Sequence, residues 1–245
     1  MTLNRVLIFS AFAFIAGCAT ADRVKALEEK VASLEEKVEA GAAAAATGGK
    51  TAAPKDEKAE KAAAALYEEV GKAVRDGDTE AARAKLGELK TKYGTTTAYR
   101  RARKIERELE VIGKAAPSSL SVEKWYTGET TIDFASEKPT LLVFWEIWCP
   151  HCRREVPKMQ ATWDKYTGKI QMVGLTKITR SATEEKVVEF IKENKVSYPT
   201  AKEDGELSKH FNVSGIPAAA VVKGGKIVWR GHPGRMSDAM IGGWL

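Results

Sequence analysis

The feature that most constrains this chain is Trp148-Cys149-Pro150-His151-Cys152, placed just after the apolar run Leu141-Leu142-Val143-Phe144-Trp145. An unbroken apolar run of that length reads as a buried central strand. Proline at position 150 suits the first turn of a helix, where its missing N–H costs nothing. The pattern therefore predicts a strand-to-helix junction, with Cys149 at the helix N-cap and Cys152 one turn in on the same face. The partial positive charge of a helix N-terminus favours a thiolate at Cys149. His151 adds a local cation when protonated and a hydrogen-bond donor when neutral. Cys149 is thus the expected nucleophile and Cys152 the resolving thiol. A zinc half-site is the competing reading, and it requires a second pair of ligands. The remaining candidates Cys18, His210 and His232 have no paired spacing, so neither a metal nor an organic cofactor is expected.

Cys18 is explained by where it stands. Asn4-Arg5 forms a short basic start, and Val6 to Ala16 is apolar but too short to span a bilayer. Ile15-Ala16-Gly17-Cys18 follows and resembles a bacterial lipobox, which implies cleavage before Cys18 and lipid on that cysteine. The alternative is an ordinary secretory signal with a free Cys18. Either reading predicts export to an oxidising compartment on the periplasmic side of a bacterial membrane. Alanine and threonine after the cysteine resemble the outer-membrane sorting pattern of Gram-negative lipoproteins.

Val24, Leu27, Val31, Leu34 and Val38 are spaced three and four apart, with lysine and glutamate at flanking heptad positions. Residues 23–39 are expected to form a short parallel coiled coil and a possible homo-oligomer. The run is short enough to be marginal in free solution, and confinement to a membrane would help it. A lone amphipathic helix is the alternative. The expected divisions are a signal peptide over 1–17, lipid attachment and coiled coil over 18–40, and a flexible Ala/Gly/Thr/Lys linker over 41–55. A helical segment follows over 56–114.

That segment splits into Glu57–Arg75, Asp78–Tyr93 and Thr96–Ile112, with Asp78 and Thr96 as N-caps and Gly77 and Gly94 as stops. Gly77 to Ala82 with Leu86, Leu89 and Tyr93 resembles a tetratricopeptide-type hairpin. It is read either as a spacer or as a small docking module for a partner. The net charge is +6, but no Lys/Arg block with interleaved aromatics occurs, so nucleic acid is not an expected partner.

Ala115 to Ser119 reads as a linker, after which the pattern becomes α/β over 120–245. A hairpin is expected from Val122–Tyr126 and Thr130–Phe134. Strands are expected at Thr140–Trp145, Ile170–Leu175, Ala218–Val222 and Lys226–Arg230, with a turn at Gly224-Gly225. Helices are expected from Pro150 to Tyr166, over Thr183–Asn194 with Val187, Val188, Phe190 and Ile191 inward, over Gly205–Phe211 and over Ser237–Trp244.

This order, with the cysteine pair at a strand-to-helix junction and Gly215-Ile216-Pro217 downstream, resembles the thioredoxin superfamily over about half the chain. The expected fold is a central mixed sheet flanked by helices, preceded by the coiled coil and the small helical segment. Cys149-Pro150-His151-Cys152 with Glu155 and Pro157 resembles the TlpA/ResA-like membrane-tethered branch. That resemblance puts Pro217 in the place of a cis-proline lying against the active disulfide. Ile216 would offer backbone groups to an extended substrate, with Trp148 beside the pair. Glu155 would be an acid close enough to Cys152 to influence its proton. The chain departs from cytoplasmic thioredoxins at Val143, where they carry a buried aspartate. Pro150-His151 and Pro217-Ala218 resemble the oxidising Dsb-type proteins instead. Glu146, inside an otherwise apolar stretch, is read as an exposed strand-end residue or as a buried charge that tunes the site.

The expected activity is thiol–disulfide exchange with extracytoplasmic proteins that carry thiols or disulfides, served by a membrane or periplasmic redox partner. An oligomeric disulfide isomerase, a copper(I)-handling protein using Cys149, His151 and Cys152, and a structural lipoprotein are the alternatives.

Overall fold

A computed structural model describes residues 56–245. The expected signal peptide, Cys18, the heptads of 23–39 and the linker of 41–55 lie outside the described residues. The described residues form one compact unit.

Three side-chain caps start the first three helices. Asp56, Asp78 and Thr96 each accept from a backbone N–H three residues on, at Ala59, Ala81 and Tyr99. This satisfies donors that the first turn of a helix cannot pair internally. The helices are α1 (Glu57–Arg75), α2 (Thr79–Tyr93) and α3 (Thr97–Leu109). Gly77 allows the turn between α1 and α2 because it sits at φ +75, the left-handed region. Leu66 and Val70 of α1, Leu86 and Leu89 of α2, and Ala102 and Ile105 of α3 meet in one apolar cluster.

The expected linker is partly structured. Gly113 N–H donates to Ile227 O at 2.7 Å, Ile227 N–H to Lys114 O at 2.9 Å, and Ala116 N–H to Gly225 O at 2.8 Å. Ala115 thereby bridges Lys226 in antiparallel sense. The reason is the exposed edge of the last strand, whose backbone groups the incoming segment pairs and covers.

The six-stranded sheet has the order β1 (Lys124–Thr127), β4 (Thr200–Lys202), β3 (Gln171–Thr176), β2 (Thr140–Trp145), β5 (Ala218–Lys223), β6 (Lys226–Gly231). β2, β3 and β4 run parallel, while β1, β5 and β6 pair antiparallel with their neighbours. The remaining elements are α4 (Pro150–Tyr166), α5 (Glu184–Glu193), α6 (Glu206–His210), a 3₁₀ turn (Pro233–Arg235) and α7 (Asp238–Trp244).

All six residues of β2 are buried, and strand alternation sends them to two cores. Leu141, Val143 and Trp145 pack with Val156 and Met159 of α4 and Phe190 of α5. Leu142 and Phe144 pack on the other face with Leu207 and Phe211. A strand covered on both faces cannot move, so the loop leaving it at Glu146 has a rigid base.

Two local expectations are corrected. The hairpin does not form: β1 pairs with β4, as Trp125↔Ala201 shows. Ile132 and Phe134 bury their side chains beside Leu142 and Phe144 instead of pairing as a strand. Val188 points outward at 47% exposure, while Val187, Phe190 and Ile191 face the core. Residue 188 falls off the apolar stripe of a 3.6-residue period.

Candidate active site

Cys149 ends the loop that leaves β2 and caps α4. Its N–H donates to Glu146 O at 3.1 Å, which closes the turn. Cys152 N–H donates to Cys149 Sγ at 3.4 Å, so the sulfur occupies the place of a side-chain cap. A sulfur receiving a backbone N–H at a helix N-terminus is placed to carry negative charge. Pro150 is the first residue of the helix. Across the cleft the Ile216–Pro217 peptide is cis, and the Ile216 carbonyl accepts from Cys149 Sγ at 3.7 Å. The structure therefore brings Cys149, Cys152, Pro150, Ile216 and Pro217 to one point, from two segments more than sixty residues apart.

The two cysteines are free thiols and unequal. Cys149 retains 4% of its surface and Cys152 none, so Cys149 is the one a partner can meet. Burial pushes the Cys152 thiol well above its ordinary range. Its hydrogen bond with Cys149 and the Glu146 carboxylate act in the same direction, and a bond to the Glu146 backbone opposes them.

Glu146 is the site residue that the sequence left open. It is buried at 7% exposure. Its carboxylate accepts from Trp148 Nε1 at 2.6 Å and from the Thr179 hydroxyl. Trp148 Nε1 also lies 3.0 Å from Thr179 Oγ1. On its outer side, the Arg180 guanidinium stacks 3.6 Å from the centre of the Trp148 ring, a cation–π arrangement. The apolar context Phe144-Trp145-Glu146-Ile147-Trp148 was the only signal for this burial. Its partner at 179 carried no signal at all.

Glu155, expected near Cys152, is directed elsewhere. It pairs with Lys158 at 2.8 Å. Its other oxygen is placed so that a Cβ on Gly234 would come within 3.1 Å of it. That oxygen thus lies against the 3₁₀ turn beside His232, and the carboxylate that acts on Cys152 is Glu146. His151 is exposed and its Nδ1 lies 2.6 Å from Arg154. A guanidinium can only donate, so Nδ1 accepts from Arg154. Among the described residues, no group of three or more His, Cys, Asp or Glu is placed to hold a metal ion.

Residues 112–230 match the AhpC/TSA family. Sporulation thiol-disulfide oxidoreductase A of Bacillus subtilis (strain 168) is 32% identical over 82 residues, which are 33% of this chain and 50% of that protein. Thiol-disulfide oxidoreductase ResA of Bacillus thuringiensis subsp. konkukian (strain 97-27) is 29% identical over 119 residues, 48% of this chain and 67% of that protein. The crystal structure of StoA from Bacillus subtilis aligns with a TM-score of 0.42 at 27% identity, over 52% of this chain and 98% of the other. The chain thus spans half the length of the first of these relatives. The mixed sheet with its flanking helices is a thioredoxin-like fold.

Proposed function

We propose that the AhpC/TSA-family, thioredoxin-like domain over residues 112–230 makes this chain a thiol–disulfide oxidoreductase that acts on proteins through Cys149 and Cys152. The observation that carries this reading is the Cys149 sulfur, which receives the Cys152 N–H and faces the Ile216 carbonyl beside cis Pro217.

In the reducing direction the Cys149 thiolate attacks one sulfur of a substrate disulfide. The S–S bond breaks, a mixed disulfide forms, and the first substrate thiolate leaves. Cys152 then loses its proton and attacks Cys149 Sγ. The Cys149–Cys152 disulfide closes and the second substrate thiolate leaves, so the substrate gains two electrons and the enzyme loses them. Glu146 is the neighbouring carboxylate to which the Cys152 proton passes. An extended substrate segment pairs its backbone with Ile216 and lies against Trp148. The reverse sequence oxidises a dithiol, and a redox partner resets the pair.

The relatives bearing oxidoreductase names, together with the lipobox-like Ile15–Cys18, support placing this chemistry on an exported protein tethered through Cys18. In chain order the helical segment of 56–114 lies between Cys18 and the dithiol.

The test uses the full chain. Cys149→Ser should abolish dithiothreitol-dependent reduction of insulin, and Cys152→Ser should accumulate mixed disulfides visible on non-reducing gels. Full activity in Cys149→Ser would overturn the assignment.

A further inference from the structure

α3 carries its charge asymmetrically. Arg100, Arg103, Lys104 and Arg107 stand at positions i, i+3, i+4 and i+7, so they share one outward face about 10 Å long. The acids of the helix are already engaged. Glu106 accepts from Lys90 at 2.7 Å and from the Tyr99 hydroxyl at 3.1 Å. Glu108 is buried and pairs with Arg235. Glu110, just past the helix, accepts from Asn212 at 3.0 Å. None of the four cations forms a salt bridge among the described residues, whereas four ion pairs join charged side chains of α1 and α2 to one another, within a helix or to the cap residue Asp76.

The stripe ends at the proposed site. Arg107 Nε donates to Ser214 Oγ at 3.0 Å, two residues before Ile216. Asn212 Nδ2 donates to Arg107 O at 3.1 Å, which holds this end of α3 on the loop that leads to cis Pro217. Arg100, Arg103 and Arg107 line one open cleft of about 590 Å³ that reaches Asn212. Other cations border the dithiol from separate elements: Arg154 beside His151, and Arg180 on Trp148. Glu106 and Glu110 line the same cleft, but Glu106 is paired with Lys90, so the stripe keeps a surplus of positive charge. That surplus, in line with a substrate loop, attracts an anionic chain and orients it along that line.

We propose that the Arg100–Arg103–Lys104–Arg107 face docks an acidic segment of the protein whose disulfide or dithiol reacts with Cys149, an inference that rests on the exchange reading above. The acidic segment binds along α3 and delivers the adjoining sulfur past Ser214 to the Ile216 loop. The helical segment is then a substrate-selecting part of the enzyme.

The test compares two synthetic peptides with the same disulfide loop, one followed by a run of glutamates and the other by a run of glutamines. The reduced full chain should react about tenfold faster with the glutamate peptide at low salt, the size expected of electrostatic steering. About 0.5 M salt should close most of that gap in the unmodified protein, because it screens exposed charge. Arg100→Gln/Arg103→Gln/Lys104→Gln should bring the ratio of the two rates to within about twofold. Equal rates for both peptides in the unmodified protein overturn the docking proposal. So does a ratio that survives the triple substitution, or equal rates accompanied by binding to phosphatidylglycerol vesicles, which would assign the stripe to a membrane surface. Failure of the exchange reading is seen separately, as no reduction of neutral hydroxyethyl disulfide. In that case fluorescence anisotropy of a labelled glutamate peptide, with serines for its cysteines, still decides docking. Binding that the triple substitution abolishes supports it, and no binding overturns it.

Discussion

Glu108 and Glu146 are both buried, at 4% and 7% exposure, and the protein treats them differently. Glu108 lies where α3 meets β6 and the 3₁₀ turn. It faces Arg235 at 2.5 Å, in a single-point contact that leaves Glu108 Oε1 and Arg235 Nε without partners. Beside them lies Arg230, which donates to the carbonyls of Phe211, Ala219 and Gly231. Burial lowers Arg230 to about 10, with Glu108 opposing that shift. Among the described residues Glu146 forms no salt bridge, and its carboxylate accepts from the Trp148 indole and the Thr179 hydroxyl. A buried carboxylate matched with guanidinium groups is a structural clamp. One held by neutral donors next to a buried thiol keeps its charge available to that thiol.

Breaking the clamp should have the largest effect. Glu108→Ala leaves Arg230 and Arg235 without their counter-charge between the helical segment and the sheet. The expected loss of stability is about 3 kcal/mol in urea unfolding, at the lower end for a broken buried pair because Arg235 is partly exposed. Glu108→Ala with Arg235→Met should recover part of it. A loss below about 0.5 kcal/mol would mean that the pair contributes no more than a surface contact.

The second prediction sharpens the contrast at the dithiol. Glu146→Gln keeps the shape and removes the charge. The charge disfavours a Cys152 thiolate, but burial already keeps that thiol protonated at neutral pH, so the potential at pH 7 should hold within about 10 mV. The resolving step should nevertheless slow several-fold, because the proton acceptor for Cys152 is gone. Glutathione-buffer titration reads the first effect and stopped-flow decay of the mixed disulfide the second. A faster resolving step would show that Glu146 only repels the thiolate and takes no proton.

These contrasts differ in how far they could be read beforehand. The cysteine pair, Pro150, the β2 run and the helix caps at Asp78 and Thr96 are local patterns, and local chemistry sets them. The partner of β1 was not legible, because Trp125 pairs with Ala201 and no rule of short range joins them. Glu146 stood out only as a misfit, since its donors come from its own loop and from residue 179, thirty-three positions on. The stripe on α3 is periodic in the sequence. Its meaning depends on Arg107 meeting Ser214, a contact across 107 positions that only the fold supplies. Glu155 was the reverse case, in which nearness along the chain misled.

Glu155 gives the smallest predicted effect, and it separates the two acids of the redox helix region. Its carboxylate lies by the 3₁₀ turn, where burial lowers His232 from its ordinary 6.5 and Glu155 opposes that shift. Lys104 and Arg235 also lower His232, and Glu108 also raises it. The native imidazole therefore stays neutral at a pH where the unfolded one has taken a proton. Below about 6.5 the unfolded state binds more protons, so this contribution to stability is present at neutral pH and is lost as pH falls toward the folded value. Glu155→Gln removes an opposing charge and widens the gap. The variant should lose more stability than the unmodified protein between about pH 7 and pH 5.5. The reduction potential and the pH profile of exchange should stay as they were. If instead the pH profile of exchange moves in Glu155→Gln and holds in Glu146→Gln, the carboxylate that serves Cys152 is Glu155, and the roles given to the two acids are reversed.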